Sequence, residues 1–148
     1  MLLSKSCEYA IRTALHIASR DLSAYTPVRE VSVALGIPYP FLAKIVQTLT
    51  QAKILQTMRG PTGGIMLARA PSAITLEEIV VSIDGPGLFH TCVLGLPGCG
   101  NLAPCPLHEG WVPTRERIHT LFRTATLGEF AARVNAHEYR LSLTAEDA

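Results

Sequence analysis

Charge is scarce in this 148-residue chain: Asp, Glu, Lys and Arg make up 17% of it, and 13 Lys and Arg nearly cancel 12 Asp and Glu, leaving a formal net charge of +1. So little charge beside 48% hydrophobic residues excludes an intrinsically disordered chain. A balance this close to neutral also argues at first against a polyanionic partner, because phosphate recognition needs concentrated Lys and Arg. The length excludes two large domains and suits one core with a small appendage, since domains usually run to ~100–150 residues. Long apolar runs are missing as well. None approaches the ~18 residues needed to span a bilayer, so no membrane partner is expected. The start, Met1-Leu2-Leu3-Ser4-Lys5-Ser6-Cys7-Glu8, lacks the basic flank, apolar segment and small-residue cleavage site of a signal peptide, and the expected compartment is the cytoplasm. Thiols stay reduced there, so Cys7, Cys92, Cys99 and Cys105 read as metal ligands, redox sensors or core residues rather than as disulfides. Nucleophile-base pairings and phosphate loops are absent too, and an enzyme is not expected.

Position changes the meaning of the charge. Residues 1–70 carry eight Lys and Arg against three carboxylates, a net +5, whereas residues 71–148 carry five Arg against nine carboxylates, a net −4. Such asymmetry points to a polyanion-binding module joined to something else. Within the basic half, Cys7, Ala10, Ile11, Ala14, Leu15 and Ala18 fall at the spacing of a helix with one buried face. Thr26-Pro27 reads as an N-cap and first-turn proline of a second, short helix that Gly36 stops. A third begins near Tyr39 or Pro40 and buries Leu42, Ile45, Val46 and Leu49. Two short helices joined by a tight Gly-containing turn describe a helix-turn-helix. Two strand-like runs, Ile54 to Met58 and Ile65 to Ala68, flank Arg59-Gly60-Pro61-Thr62-Gly63-Gly64, the signature of a hairpin or wing with Arg59 and Arg69 at its base. The expected fold is mainly α with a small β-hairpin, a winged helix-turn-helix over residues 1–70.

Thr75-Leu76-Glu77-Glu78 is a capping box that opens a connecting helix within residues 71–87. Composition then shifts: residues 84–113 hold six Gly and five Pro. Loops beyond ~12–15 residues are uncommon in compact domains and are usually functional or tied down. The cysteine-rich segment is placed at 88–112, a long helix at 113–137 and a flexible tail at 138–148. The long helix carries Ile118, Leu121, Phe122 and Ala125 on one face, and Thr126-Leu127-Gly128-Glu129 opens either its continuation or a separate helix. Its apolar stripe needs a partner, and the simplest is the same helix of a second subunit, so a homodimer is expected.

The cysteine loop has the spacing C-x6-C-x5-C-x2-H, from Cys92 through Cys99 and Cys105 to His108. Thiolates bind iron or zinc tightly, and an imidazole can complete the set. Zinc fingers favour ligands two to four residues apart, a tight chelate that this loop lacks. Wider spacing suits something larger than one ion, such as an iron-sulfur cluster. Cys7, on the apolar stripe of the first helix, reads as a small buried hydrophobe.

Several segments together resemble one family. Leu3-Ser4-Lys5 through Tyr9-Ala10, the wing Arg59-Gly60-Pro61-x-Gly63-Gly64, the three-cysteine loop and Thr126-Leu127-Gly128-Glu129 are similar, in that order, to the bacterial winged-helix transcription regulators of the IscR/NsrR type. The resemblance implies a homodimer that binds partly palindromic promoter sites on double-stranded DNA. It also implies Cys92, Cys99 and Cys105 as ligands of an iron-sulfur cluster, 2Fe-2S in preference to 4Fe-4S. Two residues compete for the fourth position: His108, in the pattern Cys105-x-x-His108-x-x-Trp111, and Glu8, which would come from the partner subunit. His108 is favoured because it adjoins Cys105 and needs no subunit crossing. The gap between Cys92 and Cys99 is one residue longer than is usual in those regulators.

For DNA reading, Tyr39 and Pro40 open the recognition helix, and Lys44, Gln47 and Thr48 lie on the side away from its apolar residues. Arg59, Gly60, Thr62 and Gly63 are the wing candidates. Phe41 is set aside because the core could equally take it. The expected function is a homodimeric regulator, enzymatically inert, whose promoter binding changes as a cluster at residues 92–108 is gained or lost and the long helix shifts against the N-terminal module. Iron, redox state and nitric oxide are the candidate signals. Two alternatives stand beside it: a zinc-bound or cluster-free winged-helix regulator sensing a small ligand or thiol oxidation, and, more remotely, a small iron-sulfur electron-transfer protein.

Overall fold

The first helix, α1 (Lys5–Ala18), starts where the Ser4 side chain accepts the Cys7 N–H; it buries Cys7, Ala10, Ala14, Leu15 and Ala18 as the spacing predicts, leaves the predicted Ile11 only half-buried, and also buries Ile17, which the stripe did not include. In this computed structural model, which describes residues 2–100, 102–136 and 139–141, α1 forms the floor of the core. Across it lie α2 (Val28–Leu35) and α3 (Tyr39–Gln51), with a change of direction of 119° between them. Gly36 makes that turn possible by taking the left-handed conformation, φ 63°, at the end of α2. The strands β1 (Leu55–Met58) and β2 (Gly64–Leu67) pair antiparallel, Leu55 opposite Leu67 and Met58 opposite Gly64. The molecule is therefore mainly helical with one two-stranded hairpin.

Thr26 departs from expectation. It is not an N-cap: Pro27 holds that position without a side-chain bond. Instead the Thr26 backbone exchanges two hydrogen bonds with Ile65, 2.9 and 2.8 Å, adding a single rung beside β2. The edge of β2 offers the Thr26 backbone two ladder bonds, and this tertiary pairing overrides the local capping preference.

A 3-10 turn (Pro71–Ala73) leads into α4 (Leu76–Asp84), where the capping box forms in both directions between Thr75 and Glu78. At the other end of α4, Asp84 accepts the Ser4 N–H at 2.9 Å and also the Ser4 hydroxyl, so the two helices are joined end to start. A one-turn helix, α5 (Gly87–His90), precedes the cysteine loop. The long helix expected over 113–137 is two. The first, α6 (His108–Thr124), begins five residues earlier and carries Pro113 within it; the second, α7 (Leu127–Asn135), follows a break at Ala125. At the break Leu76 N–H donates to Ala125 O and Leu127 N–H to Ile74 O, which ties it to the start of α4. Leu127 and Ala131 then bury against α1 and the 3-10 turn, and Phe122 and Ala125 also enter this core. Most of the stripe read as awaiting a second subunit is thus covered within the chain; Leu121, 57% exposed, is not. Of the tail placed at 138–148, all but 139–141 lies outside the described residues. Among the described residues no single helix is long and apolar enough to cross a membrane.

Candidate cysteine centre and nucleic-acid interface

Turn geometry brings the cysteine loop back on itself. Gly95 N–H donates to Cys92 O at 2.9 Å, Gly95 and Gly98 take φ of 71° and 66°, and His108 N–H donates to Cys105 O at 2.9 Å as α6 begins. The result is two close donor pairs, Cys92 Sγ to Cys105 Sγ at 3.8 Å and Cys99 Sγ to His108 Nδ1 at 3.9 Å. Cys92 is buried, and Cys99, Cys105 and His108 are half-buried. The backbone N–H of Leu94 lowers the pKa of the Cys92 thiol most, aided by that of Leu96 and by the Cys105 and Cys99 thiols, with burial opposing them. Among the described residues no three His, Cys, Asp or Glu surround one point closely enough to hold a single metal ion. Three thiols and an imidazole, one thiol already biased toward thiolate, form a donor set that fits a sulfur-rich iron site.

Glu8 stands elsewhere. It is ion-paired to Lys5 at 2.8 Å in the first turn of α1 and, among the described residues, makes no hydrogen bond or ion pair with the cysteine loop of its own chain. Cys7 is fully buried, and burial together with Asp84 pushes its thiol up to about 12, so it remains a thiol in the core as its stripe position implies.

The loop is anchored by Trp111, the last residue of the Cys105-x-x-His108-x-x-Trp111 pattern, and by a ring cluster that sequence spacing did not single out. Trp111 Nε1 donates to Thr91 O at 3.0 Å. Phe89 of α5 is buried and stacks on His119 of α6 with ring centroids 4.7 Å apart, and His119 Nε2 meets Glu77 Oε1 of α4 at 2.7 Å. This cluster links the loop's base to α4, which packs on α1 and α3. No spacing signal marks His119, because its partners come from two other helices.

On α3, Pro40, Lys44, Gln47 and Gln51 form one exposed stripe, with Tyr39 beside it and Thr48 half-buried on its flank. Phe41 is 58% exposed, so the core does not take it. Arg29 of α2 lies over the Tyr39 ring at 5.0 Å, adding a cation at the start of α3 that the sequence reading missed. In the wing, Gly63 N–H closes the turn on Gly60 O at 3.0 Å, presenting Pro61 and Thr62 at its tip with exposed Arg59 beside it. Gly63 itself is buried: a Cβ there would lie 2.1 Å from Met58 O, so the turn, not a groove contact, requires this glycine. Arg69 is likewise committed within the fold, to Glu78 at 2.7 Å and to the carbonyls of Ala73 and Lys53, bolting the wing to α4. Lys44 and Arg59 take part in no ion pair among the described residues.

The chain matches the Rrf2 family, described as iron-dependent transcriptional regulators, over residues 3–133. It is 28% identical over 144 residues to an HTH-type transcriptional regulator of Aquifex aeolicus (strain VF5), covering 95% of this chain and 96% of that protein. It is 26% identical over 157 aligned positions to the HTH-type transcriptional regulator IscR of Klebsiella pneumoniae (strain 342), covering 100% and 96%. Among solved structures, CymR, the global cysteine regulator of B. subtilis, superposes with a TM-score of 0.77 at 21% identity over 88% of this chain and 95% of CymR. IscR of T. potens does so with a TM-score of 0.73 at 17% identity over 93% and 91%.

Proposed function

The chain belongs to the Rrf2 family and is a DNA-binding transcriptional regulator, not an enzyme, and on that premise we propose that it acts as a cytoplasmic homodimer whose promoter affinity is set by an iron-sulfur cluster. Cys92, Cys99, Cys105 and His108 would hold the cluster, 2Fe-2S in preference to 4Fe-4S. The observation that carries this reading is the pairing of four donors in two contacts of 3.8 and 3.9 Å at one end of α6. Glu8 of a second subunit is the rival for the fourth position, and its ion pair with Lys5 counts against it. When bound, such a cluster supplies redox and iron sensitivity.

The chain's own residues carry the rest. Winged-helix geometry offers Tyr39, Pro40, Lys44, Gln47 and Thr48 to a major groove, and Arg59, Gly60 and Thr62 to the adjacent backbone, with Gly63 shaping that tip. The working parts we propose are the winged module at 1–70, the connecting segment at 71–87, the cluster loop at 88–112 and the segment 113–137 as the dimerising region, with exposed Leu121 as its apolar contact. Movement of the loop would pass through Phe89, His119 and Glu77 into α4, and from α4 into α3. Two such recognition helices in a dimer would meet half-sites of a palindrome. A coupling of ~1–3 kcal/mol would change DNA affinity about 5- to 150-fold.

The test is anaerobic purification with absorption spectroscopy, iron and sulfide analysis, and DNA binding. Iron with acid-labile sulfide supports the proposal, and Cys92→Ala, Cys99→Ala and Cys105→Ala should each abolish the response of DNA affinity to iron or oxidant, while Cys7→Ala keeps it. Zinc, or no metal with DNA binding retained, would instead favour a regulator that senses a small ligand or thiol oxidation.

A further inference from the structure

Arg115 lies on α6 seven residues after His108 and four before His119, the spacing that brings all three to one side of the helix. It is 9% exposed. Its Nη1 donates to His90 O at 3.2 Å and Thr91 O at 3.4 Å, and reaches Cys99 Sγ at 3.5 Å. Its Nε is buried with no hydrogen-bond partner, and none of the ion pairs among the described residues includes it. A guanidinium stays charged at any pH a protein meets, and a buried charge is normally retained against an opposite one. Of the three groups that Nη1 touches, two are neutral carbonyls and only the Cys99 sulfur can carry negative charge.

We infer that Arg115 is the counter-charge of the sulfur site, a positioning residue that fastens the cysteine loop to α6 and raises the readiness of the bound cluster to accept an electron. The inference rests on the reading of Cys92, Cys99, Cys105 and His108 as cluster ligands. One-electron reduction by an external reductant such as dithionite adds one negative charge and makes or breaks no bond. An N–H donor and a fixed positive charge beside the sulfur stabilise that more negative state, which raises the reduction potential. The carbonyl bonds to His90 and Thr91 hold the same side chain to both the end of α5 and the start of the loop, so charge and position are set together.

The experiment compares wild type, Arg115→Lys and Arg115→Gln, each purified anaerobically, analysed for iron and sulfide, checked for helix content by circular dichroism and titrated with dithionite while the absorbance is followed. Arg115→Gln should disfavour reduction about tenfold, a potential about 59 mV lower for one electron, and Arg115→Lys, which keeps the charge, should stay within about twofold of wild type. Loss of the cluster from Arg115→Gln but not from Arg115→Lys, at equal helix content, also supports the inference. It is overturned if Arg115→Gln matches wild type, if Arg115→Lys is displaced as far as Arg115→Gln, or if both lose the cluster. A wild-type protein without iron and sulfide overturns the cluster reading and this inference with it, whereas a loaded wild type and an unshifted Arg115→Gln overturn this inference alone.

Discussion

Cys7 and His16 share α1, and each is altered by what surrounds it. Burial keeps Cys7 protonated, while for His16 burial, helped by the Arg20 charge and opposed by Glu30, lowers the pKa below its ordinary 6.5. The His16 Nε2 atom is buried without a hydrogen-bond partner. A histidine whose folded pKa is depressed stabilises the fold above its unfolded pKa, and that contribution is lost as pH falls. Thermal unfolding of the wild type should therefore move to lower temperature between pH 7 and pH 5.5, and His16→Leu should flatten that part of the profile. An equal pH dependence in both proteins would show that His16 does not supply it. The stripe containing Cys7 could be read from spacing alone, because burial of small apolar residues repeats with the helix period. The environment of His16 could not, since it depends first on burial by the closed core and then on charges from Arg20, beyond the end of α1, and Glu30 of α2.

At the scale of elements, the wing shows how glycine placement serves shape. Gly64 has φ 149°, and a Cβ there would lie 2.1 Å from Thr26 O, in the rung that joins Thr26 to Ile65. Gly64→Ala should destabilise the protein by more than ~1 kcal/mol, measured as a lower urea midpoint, because both the backbone conformation and the close approach are incompatible with a side chain. DNA affinity of this variant, compared at a temperature where it is folded, reports on wing geometry. Lys44, on the exposed stripe of α3, makes a different forecast: Lys44→Ala should weaken DNA binding across sequences and reduce the slope of log affinity against log salt by ~0.9 if it neutralises one phosphate. An unchanged slope would remove Lys44 from the phosphate contacts. The three helices of the winged module, the hairpin and the capping box of α4 were readable from period and turn residues, whereas the role of Thr26, the one-turn α5 and the start of α6 at His108 were not. Arg69 was not readable as an internal tie, because a basic residue beside a wing looks the same in sequence whether it meets a phosphate or Glu78.

For the whole molecule, the junction of α4, α5 and α6 joins the two proposed tasks. Phe89 is 1% exposed and touches His119 and Phe122. Phe89→Ala should cost ~3–5 kcal/mol of stability, a large share of the ~5–15 kcal/mol typical of a domain, and should shift the urea midpoint accordingly. A loss below ~1 kcal/mol would mean that the junction relaxes around the gap and is a poor conduit between loop and winged module.

The sequence by itself determined the winged helical plan, the basic character of the first 70 residues and the grouping of three cysteines and a histidine within one loop, because periodicity, capping and short-range spacing are local properties of a chain. Only the tertiary structure decided that Thr26 would pair with Ile65, that α7 would return to cover α1, and that Arg115 and His119 would stand beneath the cysteine loop. Those outcomes depend on backbone groups and side chains that meet across dozens of residues. Which of several competing partners satisfies a hydrogen bond or a buried charge is settled only when the whole core closes.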